Sequence, residues 1–300
     1  MTASKLDVAT DRYPTRTAQR NGRIDRTDPT VWGAGEPGPM TRDEVRSHAA
    51  KGYSIHEQLF DAAETAGFAA EVQALVSDPR MRADPRAIIE KSSDRIRSIF
   101  DVHRISHVIG SLVTDRRVVD RARQVLGSDV YIHQCRVNYL PGFGGAGFYW
   151  HSDFETWHAE DGMPAPRAVS MSIALCANYP FNGGLMVMPG SQRTFVPCQG
   201  ETPHDHYRQS LREQTIGVPA EADIAALAHE CGIEQFTGPA GSALLFDSNV
   251  MHGSGNNITP FPRSNVFVVF NSVENTLLEL FAAAERRPEY LASRDFTPVG

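Results

Sequence analysis

At Gly127 the spacing of apolar residues changes, and no other feature of this 300-residue chain constrains its fold as much. Before that point apolar residues recur at intervals of three and four. Ile96, Ile99, Val102, Ile105, Ile109 and Leu112 share one face when wound on a helix. The pattern predicts helices over 42–51, 55–75, 84–90, 95–113 and 116–126. Thr41-Arg-Asp-Glu44 opens the first with a capping box, in which hydroxyl and carboxylate each satisfy the other residue's free backbone N–H. After Gly127 the period becomes two. Segments 130–140, 167–179, 183–191, 241–253 and 263–273 are rich in Val, Phe and Tyr and are bounded by Gly, Pro and Asn, so they read as strands. A helical layer followed by a run of strands argues against an alternating β-α-β fold. It predicts a mainly β protein with α, a jelly-roll core flanked by N-terminal helices.

Residues 1–40 read as a polar N-terminal arm and a Gly/Pro-rich loop. Residues 41–300 read as a single domain with a helical layer (about 41–127), a jelly-roll core (about 128–275) and a C-terminal tail (276–300). Within it, 201–235 is polar and partly helical, best from Glu221 to His229. It reads as an insertion across one end of the sandwich, and 190–235 is a candidate lid. Hydrophobic residues make up 41% of the chain, enough for a sizeable core. A net charge of −7 argues against nucleic acid as the main partner. No apolar run approaches the roughly 20 residues of a membrane span, and residues 1–29 lack the apolar stretch of a secretory signal. Cys135, Cys176, Cys198 and Cys231 fit no metal-binding spacing. They read as structural thiols in a reducing compartment, hence a cytoplasmic protein.

The candidate chemistry begins at His151-Ser-Asp153. With 11 His and 19 Asp, chance alone supplies roughly 0.7 such pairs, so the pair by itself says little. His252 strengthens it, because it closes an apolar strand that a jelly roll can bring beside Asp153. Two histidines and one carboxylate form the ligand face of non-haem Fe(II) oxygenases, with positions left open for co-substrate and O2. A zinc hydrolase could use the same three ligands, and a metal-free storage jelly roll also remains open. Arg263, eleven residues past His252, favours iron: a buried guanidinium can grip a dicarboxylate such as 2-oxoglutarate with two parallel hydrogen bonds. His204-Asp205-His206 resembles a metal cluster but lies in the polar insertion, and reads as a solvated loop.

The run 148–158, FYWHSDFETWH, continuing AEDGMP, resembles the signature of ectoine hydroxylases, which belong to the phytanoyl-CoA-hydroxylase-like Fe(II)/2-oxoglutarate dioxygenases. The likeness extends to 97–103, 130–143, 182–192, 200–207 and 251–275 and spans roughly 10–295. Leu140, and Pro166 before Arg167, depart from the family's common pattern, away from the candidate metal ligands. The resemblance implies a double-stranded β-helix, a cupin-like jelly-roll variant, with iron on His151, Asp153 and His252. It implies 2-oxoglutarate held by Arg263 and Ser254 with Asn138 and Phe148 nearby. It implies a substrate pocket of Gln134, Thr156, Trp157, Phe246, Asn265 and Phe267. The implied reaction converts ectoine to 5-hydroxyectoine with release of succinate and CO2, in compatible-solute metabolism under osmotic stress, by a homodimer. Other small cyclic amino acids such as proline, and a non-catalytic metal-binding role, stay as alternatives.

These residue types suit that chemistry. An indole face such as Trp157 can hold an amidinium cation while excluding water. Gln134, Thr156 and Asn265 offer neutral hydrogen bonds. Phe246 and Phe267 lie in apolar strands, where core packing is the competing role. Arg136 could meet a substrate carboxylate or form a structural ion pair.

Overall fold

The computed structural model describes residues 11–19, 21–90, 94–211 and 216–300. The helical half contains β1 (Ile24–Asp25), α1 (Arg42–Lys51), β2 (Tyr53–His56), α2 (Ala62–Ser77), β3 (Ala87–Ile89), β4 (Ile96–Phe100), α3 (Val102–Ile105), α4 (His107–Val113) and α5 (Arg116–Leu126). The β half contains β5 (Val130–Leu140), β6 (Phe148–His151), α6 (Asp153–Asp161), β7 (Ala168–Ala174), β8 (Leu185–Val187), β9 (Thr194–Phe195), α7 (Tyr207–Ser210), α8 (Glu221–Cys231), β10 (Glu234–Gln235), β11 (Ala243–Asp247), β12 (His252–Ser254) and β13 (Arg263–Ser272). A seven-stranded sheet, order β2-β11-β7-β13-β5-β4-β3, lies with a four-stranded sheet, order β10-β8-β12-β6, and a two-stranded ribbon of β1 and β9. All these pairings are antiparallel, as a jelly roll requires.

Residue parity decides what each strand of the large sheet does, because successive side chains point to opposite faces. Val266, Val268 and Phe270 of β13, Cys135 and Val137 of β5, Val169, Met171 and Ile173 of β7, and Ala243 and Leu245 of β11 pack with Val118, Val119, Ala122 and Val125 of α5. The opposite parity faces the second sheet: Phe267, Leu244, Phe246 and Ala174 pack with Leu185 and Val187. Register sets Phe267 opposite Arg136 and Asn265 opposite Asn138. A slip of one residue would send these polar side chains into the helical core.

Several expected helices fold otherwise. Ile96 and Ile99 belong to β4, which pairs with β5 through Ser98–Asn138, Ile99–Val137 and Phe100–Arg136. Every residue of β4 is buried, so no polar alternation separates it from a helix face. Asp101, left-handed at φ +54°, turns the chain into α3 and α4, where Ile105, Ile109 and Leu112 keep the predicted helical spacing. Residues 53–56 form edge strand β2 against β11, and α2 starts only after Asp61, which makes its own capping box with Glu64. Residues 87–89 form β3 on the opposite edge. The capped helices α1 and α5 match the prediction at both ends, and α8 begins at Glu221.

The arm is not a solvated appendage. Tyr13, Thr15 and Arg16 are buried, β1 pairs with β9, and Arg26 meets Asp247 at 2.8 Å with both side chains enclosed. Its polar residues find partners more than a hundred positions away, which composition alone does not reveal. Lys5 and Lys91, two of only three lysines, and residues 212–215 of the insertion lie outside the described residues.

Candidate active site

His151 ends β6 and Asp153 opens α6, so the turn from strand to helix sets both side chains facing one point. Ser152 between them caps the helix, its hydroxyl accepting from the Glu155 N–H. His252 opens β12 directly across from His151. The three residues offer ligand atoms within 4.8 Å of one another. Nε2 of His151 lies 3.6 Å from Asp153 Oδ1, and Nε2 of His252 lies 3.9 Å from Oδ2.

The surroundings prepare these atoms for a cation. Nδ1 of His151 meets the Tyr149 carbonyl at 2.7 Å, and Nδ1 of His252 meets the Val250 carbonyl at 3.0 Å. A carbonyl only accepts, so each Nδ1 carries the proton and each Nε2 presents a lone pair. Burial, reinforced by His151, lowers the His252 pKa to about 4, which keeps that ring neutral. Burial alone would raise the Asp153 carboxyl, but His252, His151 and Arg136 together hold it well below the usual carboxylate range. Two imidazoles and one carboxylate are the donor set that would suit Fe(II) and leave it room for a chelating co-substrate.

These ligands line a cavity of about 900 Å³ including its mouth. At one end Ser98, Asn138, Phe148 and Ser254 surround Arg263. Arg263 is 2% exposed, and its Nε and Nη1 find no hydrogen-bond partner among the described residues. Burial, with the nearby charge of Arg97, lowers its pKa to about 10, so it is still charged at neutral pH. A buried cation with two idle donors is a receptor for a carboxylate. Ser254 Oγ accepts from the Phe148 N–H at 3.2 Å, and Ser98 donates to Asn138 Oδ1 at 2.8 Å, fixing that wall.

At the other end stand Gln134, Thr156, Trp157 and Phe267. Phe246 and Asn265 are not part of the wall. Phe246 packs edge-on behind His252 at 5.0 Å, and Asn265 donates to Ser172 Oγ. Arg136, half-buried, stands over Phe267 and donates to Gln134 Oε1 at 2.7 Å, so it faces the cavity and makes no structural ion pair among the described residues.

Glu160, His206 and Arg287 also line this end and were not anticipated. The solvated-loop reading holds for His204, which is exposed, and fails for His206, which is 5% exposed with Nδ1 3.1 Å from Glu160 Oε1. Arg287 donates to both oxygens of Asp161. The signal for His206 is the spacing itself, since a turn at Asp205 (φ +54°) sends the two histidines of the triplet to opposite sides. Nothing local marks Arg287. Ser210, the last residue of α7, and Leu211 after it, in the candidate lid region, close part of the same wall.

A jelly roll with a two-histidine, one-carboxylate face and an unpaired buried arginine in the same cavity is the architecture of an Fe(II)/2-oxoglutarate-dependent dioxygenase. The comparisons with known proteins agree. Residues 49–265 match the phytanoyl-CoA dioxygenase (PhyH) family model, and the chain belongs to that family. Ectoine dioxygenase of Nocardia farcinica is 64% identical over 289 residues, 96% of this chain and 95% of that protein. The Halomonas elongata ectoine dioxygenase is 47% identical over 94% of this chain and 86% of its own length. Among solved structures, EctD from S. alaskensis with 2-oxoglutarate and 5-hydroxyectoine superposes with a TM-score of 0.86 at 43% identity, covering 97% of each chain. The same protein with bound Fe gives 0.84 at 44% identity and 95% coverage of each. The epimerase SnoN shares the fold alone, at a TM-score of 0.60 and 18% identity.

Proposed function

We propose that this chain hydroxylates ectoine to 5-hydroxyectoine, converting 2-oxoglutarate and O2 to succinate and CO2, in compatible-solute metabolism under osmotic stress. The observation that carries the reading is one cavity joining the three ligand residues, the idle guanidinium of Arg263 and the indole of Trp157. His151, Asp153 and His252 hold the iron. When bound, Fe(II) supplies oxygen activation coupled to decarboxylation of the co-substrate.

The chain's own residues do the rest. Arg263 takes the far carboxylate of 2-oxoglutarate, with Ser254 and Asn138 beside it and the Phe148 ring as the wall. Ectoine carries a delocalised amidinium and a carboxylate on a small ring. Trp157 offers its face to the cation, Gln134 and Thr156 supply neutral hydrogen bonds, and Arg136 supplies positive charge for the carboxylate. Phe267 fills the apolar side. Phe246 and Asn265 act from behind, Phe246 by fixing the His252 ring. Regioselectivity follows from placement: the C–H held nearest the metal is the one that reacts.

One catalytic domain acts as a homodimer in the cytoplasm in this reading. Four free cysteines agree with a reducing compartment, and no described helix is long and apolar enough to cross a membrane. Sedimentation of the purified protein checks the dimer. The assay for function incubates the protein with Fe(II), 2-oxoglutarate and either ectoine or proline, and follows product by mass and succinate by chromatography. Hydroxylated ectoine is expected, and His151→Ala abolishes it together with iron binding. Turnover of proline with ectoine untouched, or ectoine binding without succinate release, would sink the reading.

A further inference from the structure

The arm and the C-terminal tail both lie outside the 49–265 match to the general family, and each buries an arginine against the same short helix. That helix, α6, starts at Asp153 and carries Thr156 and Trp157 on the cavity wall. Arg16 reaches across two of its turns. Nε and Nη2 grip both oxygens of Glu155 at 3.0 and 2.9 Å, and Nη1 donates to Glu160 and to Thr202 Oγ1. Nη2 also lies 3.4 Å from Thr156 Oγ1. Thr15 adds a hydroxyl to Glu155 Oε1 at 2.7 Å.

The backbone fixes Arg16 as firmly as its side chain does. Its N–H donates to the Cys198 carbonyl at 2.8 Å, and it sits at φ +54°, a conformation a side-chain-bearing residue adopts only when its surroundings impose it. From the other side Arg287 holds Asp161, and His206 meets Glu160. Three carboxylates (Glu155, Glu160, Asp161) thus meet two guanidinia (Arg16, Arg287) and the His206 ring in one buried cluster. His133 links the cluster to the indole: it reaches Asp161 at 3.2 Å and packs edge-on against Trp157.

We propose that Arg16 is a positioning residue for substrate recognition, clamping α6 so that Thr156 and Trp157 meet a zwitterionic ring carrying a delocalised cation. The clamp rests on the ectoine reading above and extends it to a segment that the general family match leaves out. Arg16 does not line the cavity; it acts through Glu155, Thr156 and Glu160. Its loss moves Trp157 and Thr156 relative to a cavity end that Arg263 holds independently, so substrate affinity falls while co-substrate affinity stays.

The test uses the full chain loaded with Fe(II), comparing wild type with Arg16→Lys, Arg16→Met and the charge-matched Arg16→Met/Glu155→Gln. Measured are KM for ectoine, KM for 2-oxoglutarate, succinate formed per hydroxylated product, and quenching of tryptophan fluorescence by ectoine without oxygen. The expected result is a KM for ectoine raised about tenfold in Arg16→Lys and more in Arg16→Met, the scale of a misplaced binding group. KM for 2-oxoglutarate should not move, and succinate should exceed product. The double variant should fold as wild type does and still bind ectoine weakly, which keeps the test alive if Arg16→Met does not fold. Unchanged ectoine KM and quenching in Arg16→Lys and the folded double variant overturn the proposal. So does a joint rise of both KM values that follows lost thermal stability. A wild-type protein that leaves ectoine untouched overturns the reading beneath it as well.

Discussion

Replacing Arg263 should move stability and co-substrate affinity in opposite directions. The side chain is 2% exposed, and two of its nitrogens have no partner among the described residues. A base whose folded pKa is depressed destabilises the fold while it is charged. The penalty is fully present below the folded value of about 10 and is relieved as pH rises from there toward the ordinary guanidinium value. At neutral pH the whole penalty applies, on the order of 3 kcal/mol. Arg263→Leu removes it, so the metal-free, co-substrate-free variant should unfold at the wild-type temperature or a few degrees above it. With Fe(II) present, the same variant should lose 2-oxoglutarate affinity by about 2–5 kcal/mol, because the dianion has lost its buried partner. Arg263→Lys keeps the charge but not the fork, so one charge-assisted bond disappears. That costs roughly 1.5–3 kcal/mol, about a 10- to 150-fold rise in the dissociation constant. Anaerobic calorimetric titration with 2-oxoglutarate and thermal unfolding of the unliganded protein read the two effects separately. A large drop in unfolding temperature with unchanged 2-oxoglutarate affinity would refute the argument and make Arg263 a structural residue.

Trp157→Ala should raise the ectoine KM by a factor corresponding to about 1–2 kcal/mol of lost cation–π attraction, with the 2-oxoglutarate KM unchanged; steady-state kinetics at saturating co-substrate reads it. Glu160 supplies a pH dependence. Burial would raise its pKa, but His206, Arg16 and Arg287 pull it down to about 2. A depressed carboxyl contributes stability that is present above about 4.5 and lost as pH falls toward 2, so acid unfolding should steepen in that window and Glu160→Gln should flatten it, as circular dichroism against pH measures. Gly162, at φ +81°, ends α6 where a Cβ would fall 2.3 Å from the Leu278 carbonyl. Gly162→Ala should therefore destabilise by at least about 1–3 kcal/mol in chemical denaturation, the scale of a strained backbone residue alone.

The spacing of apolar residues is a local property, and where one face of an element meets solvent it was legible. The amphipathic helix α5 appears at its predicted bounds, and so does β5, which is enclosed but has the polar residues His133, Gln134, Arg136 and Asn138 among its apolar ones. It failed at β4, enclosed on both faces, where the adjacent polar pair Arg97 and Ser98 gives no alternation and Ile96 and Ile99 keep a helical spacing. The candidate metal triad was legible for a different reason. His151 and Asp153 must be sequence neighbours to share a strand–helix turn, and His252 closes an apolar strand.

What only the tertiary structure decided is pairing over long distance. Arg136 reads equally as a ligand group or half of an ion pair until the fold sets it over Phe267 beside Gln134, and Arg263 keeps two donors without a partner among the described residues. The arm reads only as polar, yet Arg16 meets Glu155 across 139 residues. His206 reads as a solvated loop residue, yet it is buried against Glu160. Charged side chains carry no periodic signal, and their energy depends on which partners the fold brings within a few ångströms in a medium without water. The sequence by itself therefore determined most of the scaffold and the candidate ligand triad, and the folded contacts alone determined which charges are neutralised and which stand idle for a ligand.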